Sequence, residues 1–283
     1  MSPHPKSPYY QRISYRLLKR LRSTVRVQVG EARLVVPMNE TGTLTSLWWA
    51  PSWKTTLIGS LLGNQSDGVF IDIGANVGQT LFDFVASGSR ARYLGFEPNP
   101  RCVAYVDHLI QLNGLRNASV VPVALGSRPG IVKLLHSPDQ QSDSGAFIEA
   151  SIRPAQATGH DFVSCHVFDD VAQDLDSGRI LLCKIDVEGY ETEVLAGMRR
   201  TLAEQRPPVL CEVLDADAHA DLMAHDARLS RLEGLLRELG YRIHRIMKSP
   251  AGEFDRLEPI DAFPRRRYDE SDKDAYDYLF RID

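Results

Sequence analysis

The stretch "VFIDIGANVGQT", Val69 to Thr80, decides how the rest of the chain is read. An apolar run carries an aspartate, Asp72, and glycines follow at Gly74 and Gly78. This is the pattern of a buried strand that turns sharply into a helix and brings its backbone close to a ligand. From Gly68 onward the chain alternates. "GVFIDIG", "ARYLGFEP", "ASVVPVALG", "RILLCKIDVEG" and "PVLCEVL" read as strands. "VGQTLFDFVAS", "PRCVAYVDHLIQLNG", "ETEVLAGMRRTLAEQ" and "RLSRLEGLLRELG" read as helices, the last closed by Gly240 as a C-cap. Short continuous apolar strands alternating with helices predict a parallel sheet covered on both faces. "IVKLLHS" and "DFVSCHVF" are candidate strands around a polar loop. The last two strands, "YRIHRIM" and "YDYLFRI", are separated by "KSPAGEFDRLEPIDAFPRRRYDESD", which reads as loop. They are therefore expected to pair antiparallel at one edge of a seven-stranded sheet.

The chain has 283 residues, 43% hydrophobic and 25% charged, an ordinary globular composition. No apolar run of about 18 residues occurs, so no transmembrane helix is expected. The N-terminus has basic residues but no apolar core of a secretory signal. Cys102, Cys165, Cys183 and Cys211 are scattered, which predicts free buried thiols and a cytoplasmic protein. A net charge of −4 argues against a nucleic-acid partner. In the first 34 residues, Lys6, Arg12, Arg16, Lys19, Arg20, Arg22, Arg26 and Arg33 face one acid, Glu31. Ile13, Leu17, Leu21 and Val25 recur at helical spacing, so this segment is a candidate basic helix, packed on the domain edge or touching a membrane or acidic carrier. "GTLTSLWWAPSWKTTLIGSLL" is a candidate lid. The expected division is residues 1–67 as a helical cap and 68–283 as a cofactor-binding domain.

Three ligand classes compete for the glycine turn. A phosphate-binding P-loop needs a lysine that "GANVGQT" lacks. A dinucleotide site needs glycines where Asn76 and Gln79 stand. The spacing of Asp72, Gly74 and Gly78 is that of S-adenosylmethionine sites, with Gly74, Ala75, Asn76 and Gly78 around the methionine part and Asp72 near its ammonium. Glu97, at the end of the next strand, is placed to accept hydrogen bonds from a ribose diol. Ala124 and Leu125 would wall the adenine, with Ser127 as a polar contact. In "KIDVEGYE", Asp186 and Glu188 point to the same side at the carboxyl edge. They could orient an acceptor hydroxyl, take its proton or hold a metal. Glu188 is the first candidate base, Glu212 the second, and His136 in the polar loop the third. Asp215, His219, Asp221 and His225 lack a tight ligand spacing and read as a solvated helix start, so no metal site is expected.

"FIDIGANVG", "GFEPNP", "ALGSRPG", "KIDVEGYE" and "PPVLCEV" follow one another with gaps that resemble the FkbM family of S-adenosylmethionine-dependent methyltransferases. The resemblance covers roughly residues 68–246. It implies a class I methyltransferase (Rossmann-like) α/β fold, a mostly parallel seven-stranded sheet with an antiparallel edge strand and helices on both faces. It also implies O-methylation, often of sugar hydroxyls in glycans or natural products. By the same resemblance Asp72, Gly74, Asn76, Gly78 and Glu97 would bind the cofactor, and Asp186 and Glu188 would border the acceptor. Residues 1–60 and those after Tyr241 lie outside it and would encode acceptor choice. N-methylation of a small molecule and a non-catalytic cofactor-binding scaffold are the alternatives; oligomeric state is not legible.

Overall fold

The computed structural model describes residues 24–38, 46–47, 49–136, 147–148, 159–175, 178–216, 221–267, 269, 272 and 276–282. In chain order these form β1 (Thr24–Val29), β2 (Ala32–Pro37), α1 (Trp53–Leu62), β3 (Val69–Ile73), α2 (Gln79–Ala86), β4 (Arg92–Phe96), α3 (Pro100–Leu112) and β5 (Ala118–Val121). There follow β6 (Ala124–Leu125), β7 (Gly130–His136), β8 (Phe147–Ile148), β9 (Gly159–His166), α4 (Phe168–Val171), β10 (Ile180–Ile185), α5 (Glu191–Gly197) and α6 (Arg199–Gln205). The chain then adds β11 (Val209–Glu212), α7 (Leu222–Glu238), β12 (Arg242–Lys248), β13 (Phe254–Ile260) and β14 (Asp277–Arg281).

The central sheet has eight strands in the order β13-β12-β14-β11-β10-β3-β4-β5. From β5 to β11 neighbouring strands are parallel. The chain builds β3, β4 and β5 in one direction and then returns to place β10 on the other side of β3. Strand order therefore reverses between β3 and β10, which opens a crevice at their carboxyl ends.

Two expectations about the late strands need correction. β12 and β14 do pair antiparallel, but β14 is internal, inserted between β11 and β12 and antiparallel to both. The edge strand is β13, in the stretch read as loop, and it makes an eighth strand. Its sequence "FDRLEPI" is half-exposed and carries three charges and a proline. Those are devices that protect a sheet edge, and they mask the alternation that reveals an inner strand.

β3 is buried along its whole length and shows why the sheet needs helices on both faces. Val69, Ile71 and Ile73 enter one core with α5, α6 and α7, among them Val194, Leu195, Met198 and Leu202. Phe70 enters the other core with α1, α2 and α3. Full burial of such a side chain contributes about 1.5–3 kcal/mol, whereas an exposed ion pair contributes about 0–1 kcal/mol, so these two apolar layers hold the fold.

Three local readings also change. Val25, read as helical, lies in β1, which pairs with β2 as a hairpin; Ile13, Leu17 and Leu21 lie outside the described residues. Asn113, just past α3, fastens that hairpin: its Oδ1 accepts from the Val35 N–H (2.6 Å) and its Nδ2 donates to the Val35 carbonyl (2.9 Å). "ASVVPVALG" is divided at Pro122, which has no N–H to continue a ladder. β5 ends there, and β6 joins a second sheet of order β6-β9-β7-β8. The helix expected over "ETEVLAGMRRTLAEQ" breaks at Met198 into α5 and α6. α3 buries Cys102, Tyr105, Val106, Leu109 and Ile110, while Leu112 at its end is exposed.

Candidate functional site

The loop after β3 fits against the end of β10 with no space for a side chain. Gly74 has φ +82°, and a Cβ there would lie 1.9 Å from the Asp186 carbonyl oxygen. Its N–H and that of Ala75 both donate to the Phe96 carbonyl, at 2.9 and 3.1 Å. Lys184 ties the layers together from below. Its Nζ donates to the Gly74 carbonyl at 2.8 Å and lies 3.1 Å from Asp72 Oδ1 and 3.4 Å from Asp186 Oδ2. Burial disfavours the ammonium, but Asp186 and Asp72 outweigh it and hold Lys184 above its usual range. Asp72 also accepts from the Tyr93 hydroxyl. Burial raises its pKa against the pull of Lys184 and Tyr93.

These contacts change the picture of the glycine loop. Asp72 is fully buried beneath the loop, does not line the crevice and pairs with Lys184. Ala75 and Gly78 are likewise absent from the lining; Gly78, at φ +84°, opens α2 and faces Val106. Gly74, Asn76, Glu97, Ala124, Leu125 and Asp186 do line it.

The crevice is a cavity of about 560 Å³. In one half stands Glu97, 7% exposed, at the end of β4. Its Oε2 accepts from the Asn76 N–H and its Oε1 from the Asn99 N–H, both at 2.8 Å. Burial pushes its pKa up to about 7, against the lowering effect of those two N–H groups. Each oxygen keeps a second lone pair for a ligand hydroxyl. Beside it Val123, Ala124 and Leu125, with Leu134 and Ile148 from the second sheet, form an apolar wall.

The other half is acidic. Asp186, Glu188 and Glu212 line it, joined by Asp277 at the start of β14, whose register partner is Glu212. Glu212 and Asp186 are hydrogen-bonded to each other. Burial and then the Asp186 charge drive Glu212 far above the carboxylate range. Burial opposes ionisation of Asp186 too, but Lys184 and the Glu212 hydrogen bond hold it ionised. Glu212 is thus a neutral donor and Asp186 an acceptor. Glu188 has φ +55°, a sparsely populated conformation for a side-chain-bearing residue. The turn that imposes it is fastened from behind. Glu191 Oε1 accepts from the Gly189 N–H at 2.7 Å, its Oε2 pairs with Arg228 at 2.7 Å, and Arg228 also reaches the Leu214 carbonyl at 3.1 Å.

The segment before α1 covers this half. Trp49, Ala50, Ser52, Trp53 and Lys54 line the cavity. Ser52 and Thr55 form a capping box that starts α1. Thr55 donates to Asp83 of α2, as does Trp49, whose ring lies 5.9 Å from that of Phe82. From β12, Lys248 pairs with Asp277 at 2.6 Å and stands 5.0 Å from the Trp53 ring. Among these, Lys54, Asp83, Lys248 and Asp277 were not singled out in the sequence. They lie outside the glycine loop and the strand-end motifs, and only the aromatic "WWAPSWK" gave a signal.

Other candidates lie elsewhere. His136 pairs with Asp161 of β9 at 2.9 Å and does not line the cavity. Asp215 pairs with Arg266 at 2.8 Å, His225 is buried on α7, and His219 lies outside the described residues. Among the described residues no group of three or more His, Cys, Asp or Glu side chains is arranged to hold one metal ion.

A family model described as the methyltransferase FkbM domain matches residues 72–243. No curated protein matches the chain in sequence. Among solved structures it is similar to the methyltransferase FkbM from Methylobacillus flagellatus, at 18% identity and a TM-score of 0.48, over 81% of this chain and 48% of that one. The chain thus spans about half the length of that protein. It is also similar to a SAM-dependent O-methyltransferase from Thermotoga maritima, at 12% identity and a TM-score of 0.41, over 92% and 77% of the two chains. A third similarity is to TYW2 of M. jannaschii in complex with AdoMet, at 11% identity and a TM-score of 0.41, over 92% and 87%.

Proposed function

Because the chain belongs to the FkbM family of S-adenosylmethionine-dependent methyltransferases, we propose that the cavity at the β3–β10 switch point joins a cofactor half to an acceptor half. We further propose that the acceptor is a hydroxyl of a sugar, glycan or natural product. The observation that carries the acceptor reading is the pairing of two indole rings, Trp49 and Trp53, with the carboxyl groups of Asp186, Glu188, Glu212 and Asp277 around one space. Indole faces pack on the apolar C–H faces of a sugar ring, and carboxyl groups bond its hydroxyls.

The residues present suit the cofactor. Gly74 leaves backbone where any Cβ would collide, Glu97 offers fixed acceptors to a ribose diol, and Ala124 and Leu125 give a flat apolar wall for a base. When bound, S-adenosylmethionine supplies an electrophilic methyl on a sulfonium. The chain's part is alignment and proton transfer. Asp186, held ionised by Lys184, accepts from the acceptor hydroxyl and fixes its direction. Glu188, set on its strained turn, takes the proton. Glu212 holds its proton and keeps Asp186 in place. Asp72 acts from beneath, through Lys184, on the position of Asp186 and the Gly74 carbonyl. The segment from Trp49 to Lys54 serves as the cap over the acceptor half, and residues 68–283 as the catalytic domain.

Among the described residues no helix is long and apolar enough to cross a membrane. A cytoplasmic location is part of the proposal, supported by four buried free thiols.

Calorimetric titration with S-adenosylhomocysteine comes first, beside Glu97→Ala. Micromolar binding weakened by the substitution supports the cofactor half. Methyl transfer is then screened on sugars and glycosides. Glu188→Gln should lower kcat by about 10²–10⁴-fold with cofactor affinity unchanged. A Glu188→Gln enzyme as fast as wild type would remove Glu188 from the role of base.

A further inference from the structure

A second cavity, of about 350 Å³, shares Tyr190 with the first. It lies between the turn Ser127–Gly130, the start of α5 and one face of α7. Three arginines line it: Arg128 from the turn, and Arg228 and Arg231 from α7. They face two carboxylates. Glu191 is committed to Arg228. Glu193 accepts from the Ser127 hydroxyl at 2.6 Å and stands 3.8 Å from Arg231. One positive charge remains in excess, carried on planar guanidinium groups whose parallel N–H donors match the oxygens of an oxyanion.

Two buried polar groups in the wall have no partner. Arg228 is 7% exposed; its two terminal nitrogens are used by Glu191 and Leu214, but its Nε–H has no acceptor. Thr192 is 8% exposed, and its Oγ1 has no partner either. These two atoms are sealed from solvent, so an anion in the cavity would meet the guanidinium groups of Arg128 and Arg231, the second 66% exposed.

We propose that this cavity binds a phosphate-class oxyanion, either free phosphate or the phosphate monoester of a larger molecule. Gly189 and Tyr190 form part of its wall and directly follow Glu188, so the anion would sit one turn of chain from the acceptor carboxylates. The site is independent of the acceptor reading above and is tested without turnover.

Full-length protein is titrated with inorganic phosphate and with glucose 6-phosphate at constant ionic strength, with sodium chloride as the blank. Binding is read by calorimetry. Saturable phosphate binding is expected. It should weaken at least tenfold in Arg128→Gln/Arg231→Gln and several-fold in Arg231→Gln alone. S-adenosylhomocysteine affinity should stay within twofold in each variant, which reports that the fold and first cavity are intact. Glucose 6-phosphate binding at least tenfold tighter than phosphate would assign the site to a phosphorylated molecule. Equal binding would assign it to the free anion. Absence of saturable phosphate binding overturns the proposal, as does binding that the double variant leaves unchanged or that S-adenosylhomocysteine displaces.

Discussion

At the scale of single residues, Glu97 sets a conflict between folding and binding. Its folded pKa of about 7 lies above the ordinary 4.5, and burial is the main cause. Between those values the unfolded chain holds fewer protons at this group than the folded one. The group's contribution to the stability of the ligand-free protein is therefore present at low pH and is lost as pH rises toward 7. The wild-type stability relative to Glu97→Gln should fall by up to roughly 3 kcal/mol between about pH 4.5 and about pH 7.5, measured by chemical denaturation. Ribose hydroxyls need the ionised form as acceptor, so S-adenosylhomocysteine affinity should rise through about pH 7 and stay flat in Glu97→Gln. Glu97 was legible because a strand end, a proline and an upstream glycine loop mark it locally. The position of Asp72 was not. Its burial depends on Tyr93 and Lys184, which come from two neighbouring strands and whose partners no local spacing announces.

At the scale of elements, the turn between β10 and α5 is held by a buried pair whose members are far apart in the chain. Glu191 supports the Gly189 N–H and pairs with Arg228 on α7. Glu191→Gln leaves the arginine charge buried without its counter-ion and should cost about 3–5 kcal/mol in denaturant unfolding. Replacing both by methionine should cost much less, because no charge is stranded. The strands with continuous apolar runs, β3, β10 and β11, were readable because burial on both faces removes every polar position but the functional ones. β13 was hidden by the charges and proline of an edge. The break between α5 and α6 was hidden because it follows from tertiary contact. A Cβ on Gly197 would meet the Gly126 carbonyl at 2.2 Å, so α5 is packed directly on the loop after β6.

At the scale of the whole molecule, the sequence motifs marked one half of the cavity and missed much of the other. The cofactor half comes from consecutive strand ends with compact signatures. The acceptor half gathers Trp49 and Lys54 from before the sheet and Asp277 from its last strand, residues that only the finished topology brings together. That last strand, β14, also joins the two parts of the sheet. Tyr278, Leu279 and Phe280 are buried, and β14 pairs with β11 on one side and β12 on the other. Deleting residues 277–283 should abolish the cooperative unfolding transition seen by circular dichroism, whereas Phe162→Ser on the exposed face of β9 should leave it within about 0.5 kcal/mol. The order of the strands in the sheet differs from their order in time. As the chain leaves the ribosome, β11, β12 and β13 emerge with a gap between β11 and β12 that nothing fills until Asp277–Arg281 arrive. The nascent protein therefore carries an unpaired β11 edge from Glu212 onward, and an unpaired β12 edge from Lys248 onward, until Asp277–Arg281 arrive, which makes this interval the one in which a holding chaperone would matter most.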